Sequence, residues 1–503
     1  MDCLIPAPAS LTARPDESYE LSPDTAISIA GVNAEQDVEQ DVEPVAVWLA
    51  DLLRRSTGLP LPIARPSPGD GGGISLALDG PSRLGAEGYL LDVADSGVRL
   101  RAHTPTGLFR GVQTLRQLLP PQVEAAEVQP GPWSIPGVRI DDRPRFGWRG
   151  VMLDVARHFF PVETVQRFID LAAPYKINTL HLHLTDDQGW RIAVDRWPRL
   201  ASYGGGSEVG GGPGGHYSKA DYAQIVRYAA AQHMTVVPEI DVPGHTNAAL
   251  ASYPELNGHG PAPERYTGIE VGFSSLVTGA DITYRFLDDV VEEVAALTPG
   301  PYVHLGGDEA HSTDPAGYRD FIRRAEQIVR RHGKTMVGWQ EVAAARISPA
   351  TLVQYWQTRH SEAAQAAVRQ GAKLILSPAT HAYLDIKYDA GTRLGLDWAG
   401  LVDARQSYDW DPATLLDGIG PEHVAGVEAA LWTETITTAA DIEYMTIPRL
   451  SGIAEIGWSP PAGGAGRSWA DYRTRLAAHA ARWAAAGVAF HRSADVPWPQ
   501  ATA

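Results

Sequence analysis

The spacing of apolar positions changes character along the chain and marks out two regions. Residues 43–58, EPVAVWLADLLRRSTG, repeat at helical spacing and stop at Gly58, whereas ISLALDG and GYLLDVADSGVRLRA read as strands with an Asp-Ser-Gly turn. GLFRGVQTLRQLL returns to helical spacing and ends at Pro120 and Pro121. These elements predict a small α+β domain over residues 1–140. Residues 123–148 are rich in Pro and Gly without a sustained period, and read as a linker or a strand leading onward.

From Arg149 the pattern becomes short apolar runs separated by helical stretches. The runs are RGVMLDVA, INTLHLHLTDD, MTVVPEID, YVHLGGDE, TMVGWQE, TLVQYWQ, KLILSPA and GVEAALWTE. Between them lie helical segments such as VETVQRFIDLAAPY, KADYAQIVRYAAAQH, DITYRFLDDVVEEVAALT and AGYRDFIRRAEQIVRRHG. Eight such units in roughly 310 residues predict the α/β class, with a (β/α)8 TIM barrel as the catalytic domain over residues 141–503. The last helix, SWADYRTRLAAHAARWAAAG, is expected to pack on the barrel. Residues 381–423 form a loop too long for a plain connection, which predicts that it lines a site.

Composition narrows the function. The 503 residues carry 42 basic and 60 acidic side chains, a net charge of -18 that repels nucleic acid and anionic membranes. Cys3 is the single cysteine, so no internal disulfide forms, and no apolar run reaches the roughly 18 residues of a membrane span. The opening MDCLIPAPAS lacks the features of a secretory signal, which predicts a cytoplasmic protein, or a secreted one if the chain is a trimmed mature form. The sequence sets no oligomeric state.

The ends of the predicted strands hold the candidate chemistry. Arg157 follows the first; Asp186 and Asp187 the second; Asp241 and His245 the third; Asp308 and Glu309 the fourth; Trp339 and Glu341 the fifth; Trp356 the sixth; Trp432 and Glu434 the eighth. In a barrel these ends meet in one ring. Acids among indoles suit a sugar, whose C–H faces stack on aromatic rings while its hydroxyls bond to carboxylates and Arg. Trp133, Trp148, Trp197 and Trp483 read as core. Two carboxyls adjacent on one strand point apart, which fits poorly with an acid and a nucleophile facing each other across a sugar, and suits a substrate that supplies its own nucleophile. Two other readings stay open here. His181 and His183 share a strand face and, with Asp308, could ligate a metal in a barrel hydrolase. A non-catalytic sugar-binding protein could keep the tryptophan pocket without needing both acids. The loop GGGSEVGGGPGG lacks the ending of a phosphate cradle and reads as a flexible flap.

LDVARHFF, HLHLTDDQGWR, VVPEIDVPGHTNAAL, HLGGDEAH, GWQE, the Tyr383 to Asp385 segment and LWTE together resemble the β-N-acetylhexosaminidases of glycoside hydrolase family 20, most similar to the actinobacterial type. The resemblance spans nearly the whole chain. It implies release of terminal, non-reducing β-linked GlcNAc or GalNAc with retention, through an oxazolinium formed by the substrate's acetamido group, and it implies no metal or organic cofactor. By that resemblance Glu309 matches the general acid/base, Asp308 the residue that orients the acetamido N–H, and Tyr383 a donor to its oxygen. Trp339, Trp356 and Trp432 match the acetamido walls. Arg157, Asp385 and Glu434 match the hydroxyl-binding positions, and Trp398 lies where the pocket closes. Asp186, Asp241 and His245 match a supporting shell.

Overall fold

The computed structural model describes residues 3–30, 38–64, 72–258, 260–357, 361–463 and 467–500. The chain forms two compact units, one of Met1–Arg145, Ala173–Lys176 and Ala454–Ala503, the other of Phe146–Ala172 and Ile177–Ile453.

The first unit is built on a seven-stranded sheet ordered Ser10–Glu20, Ser134–Asp142, Tyr89–Ala94, Gly97–Ala102, Ile74–Ala77, Ile27–Ala30 and Ile63–Ala64. Tyr89, Leu91 and Val93 alternate inward and meet Leu49, Leu53, Phe109, Val112 and Leu115 from two helices, Val38–Thr57 and Pro105–Leu118. The segment read as a linker contains Ser134–Asp142, which pairs on one side with Ser10–Glu20 and on the other with Tyr89–Ala94. Ser10–Glu20 gives no apolar signal because it is largely exposed and polar, and Pro15 sits where its register shifts between Ala13 and Ser18.

The C-terminal helix, Trp469–Ala485, belongs to this first unit and not, as expected, to the barrel. Arg475 donates to the Leu4 carbonyl at 2.7 Å and to both oxygens of Glu455, and Arg482 donates to the carbonyls of Gln117 and Leu119. Helical spacing reveals which face of a helix is buried but not the surface that covers it.

The second unit is a closed barrel of β1 (Trp148–Asp154), β2 (Thr179–His183), β3 (Thr235–Glu239), β4 (Tyr302–His304), β5 (Thr335–Trp339), β6 (Leu352–Tyr355), β7 (Lys373–Leu376) and β8 (Val424–Leu431). All neighbours pair in parallel, and each predicted run supplies one strand. Side chains from alternate strands fill the interior in layers. Trp148, Val237, Val337 and Ile375, from β1, β3, β5 and β7, form an apolar layer. The even strands contribute His181, His304, Gln354 and Glu428, all buried.

Those polar groups satisfy one another. His181 lies between Glu428 Oε1 at 2.8 Å and Glu239 Oε2 at 3.0 Å, and Gln354 Nε2 and Trp148 Nε1 donate to Glu428 at 2.9 and 2.8 Å. Trp339 Nε1 donates to Glu239 at 2.9 Å, and His183 meets the same carboxylate. Gly150 gives the space this requires, since a Cβ there would lie 2.0 Å from Glu428 Oε2. Burial disfavours the His181 cation, but Glu239 and Glu428 outweigh it and raise its pKa to about 9. The particular ligand set read from the sequence, His181, His183 and Asp308, is not assembled by this geometry. Both nitrogens of His181 and of His183 are engaged with carboxylates, and His181, His183 and Asp308 do not converge as one cluster among the described residues.

Candidate functional site

The site grows from the end of β4. Gly306 donates its N–H to His304 Nδ1 at 2.9 Å, and Gly306 and Gly307 turn the chain with φ of 62° and 95°. A Cβ on Gly306 would fall 1.8 Å from Asp241 Oδ1, which instead accepts the Gly307 N–H at 3.1 Å. Tyr318 donates to the Gly307 carbonyl at 2.6 Å. The turn is thus fixed from several sides, and the chain leaves it with Asp308 buried and Glu309, at φ 45°, half-buried. Gly306→Ala should therefore displace Asp241 and the two acids behind it. Since a misplacement near 1 Å can cost about 10²-fold, a loss of that order in kcat is expected, and steady-state kinetics on a purified, folded variant would check it.

His245 connects the acids to the rest of the pocket. Its Nε2 lies 3.5 Å from both Asp308 Oδ2 and Glu309 Oε2, and its Nδ1 lies 3.1 Å from Asp186 Oδ1. Asp186 also meets His183 Nε2 at 2.9 Å and Arg157 Nη2 at 2.9 Å, while Arg157 Nη1 donates to Asp154 at 3.2 Å. Burial, opposed by His245 and reinforced by Glu309, pushes Asp308 up to about 6. Burial and the nearby Asp308 carboxylate raise Asp241 well above the usual range. Burial works against the His245 cation, yet Asp186, Asp308 and Asp241 hold its pKa well above the ordinary value. His245 thus places a positive charge 3.5 Å from both β4 acids, tied on its other side to Asp186.

Aromatic side chains wall the space above these acids. Trp339 and Trp432 lie 5.8 Å apart, Tyr383 is 6.1 Å from Trp432 and 6.0 Å from Trp398, and Trp398 is 6.1 Å from Trp356. Trp398 is 52% exposed, at the mouth of this enclosure. Arg157 lies over the Trp432 ring at 4.7 Å, with Asp385 and Glu434 close by. Burial followed by the Glu434 charge raises Asp385 well above its ordinary value. Asp187 lies 3.9 Å from His245 and Glu341 3.2 Å from Trp356 Nε1, so the residues singled out at strand ends and in the long loop join one connected group, and Trp133, Trp148, Trp197 and Trp483 are buried.

Several residues that build the site were not singled out in the sequence. Arg449, fully buried, donates to the carbonyls of Ile386 at 2.6 Å and Val402 at 2.8 Å, and to that of Leu384, so it shapes the loop that presents Tyr383, Asp385 and Trp398. The glycine-rich segment 204–215 is not a free flap. The Arg191 guanidinium gathers the carbonyls of Gly205, Ser207 and Gly215 at 2.9, 2.8 and 3.0 Å. Glu239 could have been inferred, because two inward histidines on one strand require acceptors from a neighbouring strand.

Residues 146–316 and 312–461 match the model of the glycosyl hydrolase family 20 catalytic domain, and residues 3–143 match that of glycosyl hydrolase family 20, domain 2. The chain belongs to glycosyl hydrolase family 20. A beta-N-acetylhexosaminidase of Cellulomonas fimi is 43% identical over 497 residues, covering 99% of this chain and 97% of that protein. The family 20 beta-N-acetylhexosaminidase structure from Streptomyces coelicolor A3(2) superposes with a TM-score of 0.93 at 53% identity, covering 99% of each chain. An Asp-to-Ala mutant of Streptomyces plicatus beta-hexosaminidase in complex with product GlcNAc matches with the same score and identity, covering 99% of this chain and 98% of that one. As a family 20 member the chain is a glycoside hydrolase, and its barrel carries the connected strand-end site described above.

Proposed function

We propose that the chain is a retaining exo-β-N-acetylhexosaminidase that removes terminal, non-reducing β-linked GlcNAc or GalNAc through substrate-assisted catalysis. The observation that carries the residue roles is the division of environment at the end of β4. Asp308 has a side chain 11% exposed and Glu309 one 26% exposed, yet both lie 3.5 Å from the same His245 nitrogen. Neither needs to attack carbon.

On this reading the carbonyl oxygen of the substrate's 2-acetamido group attacks the anomeric carbon. The bond to the leaving group breaks as Glu309 gives its proton to the glycosidic oxygen. The acetamido N–H, now in a positively charged oxazolinium, points at the Asp308 carboxylate. Glu309, left as a carboxylate, next takes a proton from water, whose oxygen adds to the anomeric carbon from the face the leaving group vacated and restores the acetamide. Two inversions give net retention. Trp339, Trp356 and Trp432 enclose the acyl group and Tyr383 donates to its oxygen, which holds the intramolecular nucleophile in place; such positioning lowers a barrier by roughly 7 to 11 kcal/mol. Arg157, Asp385 and Glu434 bind ring hydroxyls.

The deciding assay compares nitrophenol release from the aryl β-N-acetylglucosaminide and the matching β-glucoside, with and without EDTA. Cleavage of the acetamido substrate alone, indifferent to chelator, is expected. Equal rates on both sugars would remove the acetamido nucleophile from the mechanism.

A further inference from the structure

The turn after β5, Gln340–Ala344, grips Trp356 at two points. Gln340 Oε1, on a side chain fully buried, accepts the Trp356 backbone N–H at 3.3 Å, and both carboxyl oxygens of Glu341 lie 3.2 Å from Trp356 Nε1. The indole also meets Trp398 edge-on at 6.1 Å. Trp356 is only partly buried, so packing alone does not fix the rotation of its ring. We propose that Glu341 is a positioning residue of the acyl pocket, whose bond to Trp356 Nε1 sets the angle of that wall and thereby the size of the acyl group the site accepts. The inference rests on the reading above, in which Trp356 bounds the acetamido group.

A carboxyl is an unusual choice for this position, because Asp308, Glu309, Tyr318 and Tyr383 all face it with negative or potentially negative charge. Burial, with Asp308 next, raises Glu341 to about 8, so at neutral pH it is mostly protonated. A neutral acid there still accepts from the indole without adding a third charge beside the two β4 carboxyls. Glutamine reproduces that state; leucine keeps the bulk and removes the acceptor.

The test measures kcat/KM for aryl glycosides bearing N-acetyl and N-propanoyl groups, which differ by one methylene and little in nucleophilicity. The intact pocket is expected to reject the longer acyl group by about tenfold or more, the usual worth of one methylene in a shaped pocket. Glu341→Leu should relax this ratio at least about threefold, whereas Glu341→Gln should hold it near that of the native protein. A Leu variant with the native ratio, or Gln and Leu variants shifted alike, would overturn the proposal. Independently of whether the Leu variant folds, the Trp356 indole N–H of the native protein, identified by its loss in Trp356→Phe, should exchange slowly with deuterium; rapid exchange would also overturn it. If the native protein cleaved the 2-hydroxy glycoside as fast as the acetamido one, the substrate-assisted reading would fall, while indole exchange would still report the Glu341 contact.

Discussion

Glu309→Gln is expected to slow release of a sugar leaving group by about 10³-fold while slowing the first step on a dinitrophenyl glycoside far less, since general acid catalysis contributes roughly 10² to 10⁴ and matters most when the departing oxygen is basic. A sugar alkoxide cannot leave without a proton, whereas a dinitrophenolate can. The same substitution removes the base that activates water, so on the activated substrate a fast initial release of phenol should precede a slow steady state. Rapid-mixing kinetics on the two leaving groups would resolve this. Equal losses in the first step on both substrates, with no burst, would take Glu309 out of the acid role. Glutamine leaves the shape and the φ of 45° intact, so the test separates proton transfer from the geometry of the turn.

How much of this could be read beforehand depends on whether a feature is written locally. The barrel strands are short apolar runs closed by polar ends, and all eight predicted runs pair in the expected cyclic order because βα units impose one topology. The strand-end acids and tryptophans were legible for the same reason: a barrel carries every strand end to one face. The supports beneath them were not. His181 and Glu428 lie 247 positions apart, and neither residue alone reveals that the other completes it. Arg191 and Arg449 work through backbone carbonyls, which any residue possesses, so no side-chain pattern points to them. In the first unit the strand Ser10–Glu20 is mostly exposed and its partner Ser134–Asp142 is interrupted by Pro136 and Gly137, so period-2 alternation fails where backbone pairing persists.

The supports also explain why two adjacent acids can differ. Asp241 presses on the glycine turn, His245 stands between the acids and Asp186, and Glu239 anchors His181, His183 and Trp339 beneath the sugar pocket. Burial weighs against the Glu239 carboxylate, but the rings of His304, His183 and His181 overcome it and hold its pKa well below the usual range. Glu239 is therefore held as a carboxylate beneath Trp339, paired with the cationic His181 and His183.

Asp308→Asn should show that this arrangement is maintained at a cost to stability. Removing one oriented charge from a transition state typically lowers the rate by about 10²-fold or more, and that loss is expected here for N-acetyl substrates at neutral pH. Burial raises the folded-state pKa of Asp308 from 3.8 to about 6, which fixes the sign of the linkage. Between about pH 4 and pH 6 the unfolded chain has released this proton while the folded one retains it, so folding loses stability as pH rises through that window, and the penalty is complete above about 6. Asparagine carries no such penalty. The variant should therefore melt above the native protein at pH 7, with the difference shrinking toward pH 4, although it is the poorer catalyst. The acid limb of kcat/KM should likewise lie near pH 6 in the native protein, where Asp308 takes up its proton, and be absent or displaced in the variant. Calorimetry across pH together with a pH–rate profile would decide the matter. A variant that melts lower at pH 7 would mean that Asp308 stabilises the fold, and a near-native rate would remove it from the stabilisation of the intermediate.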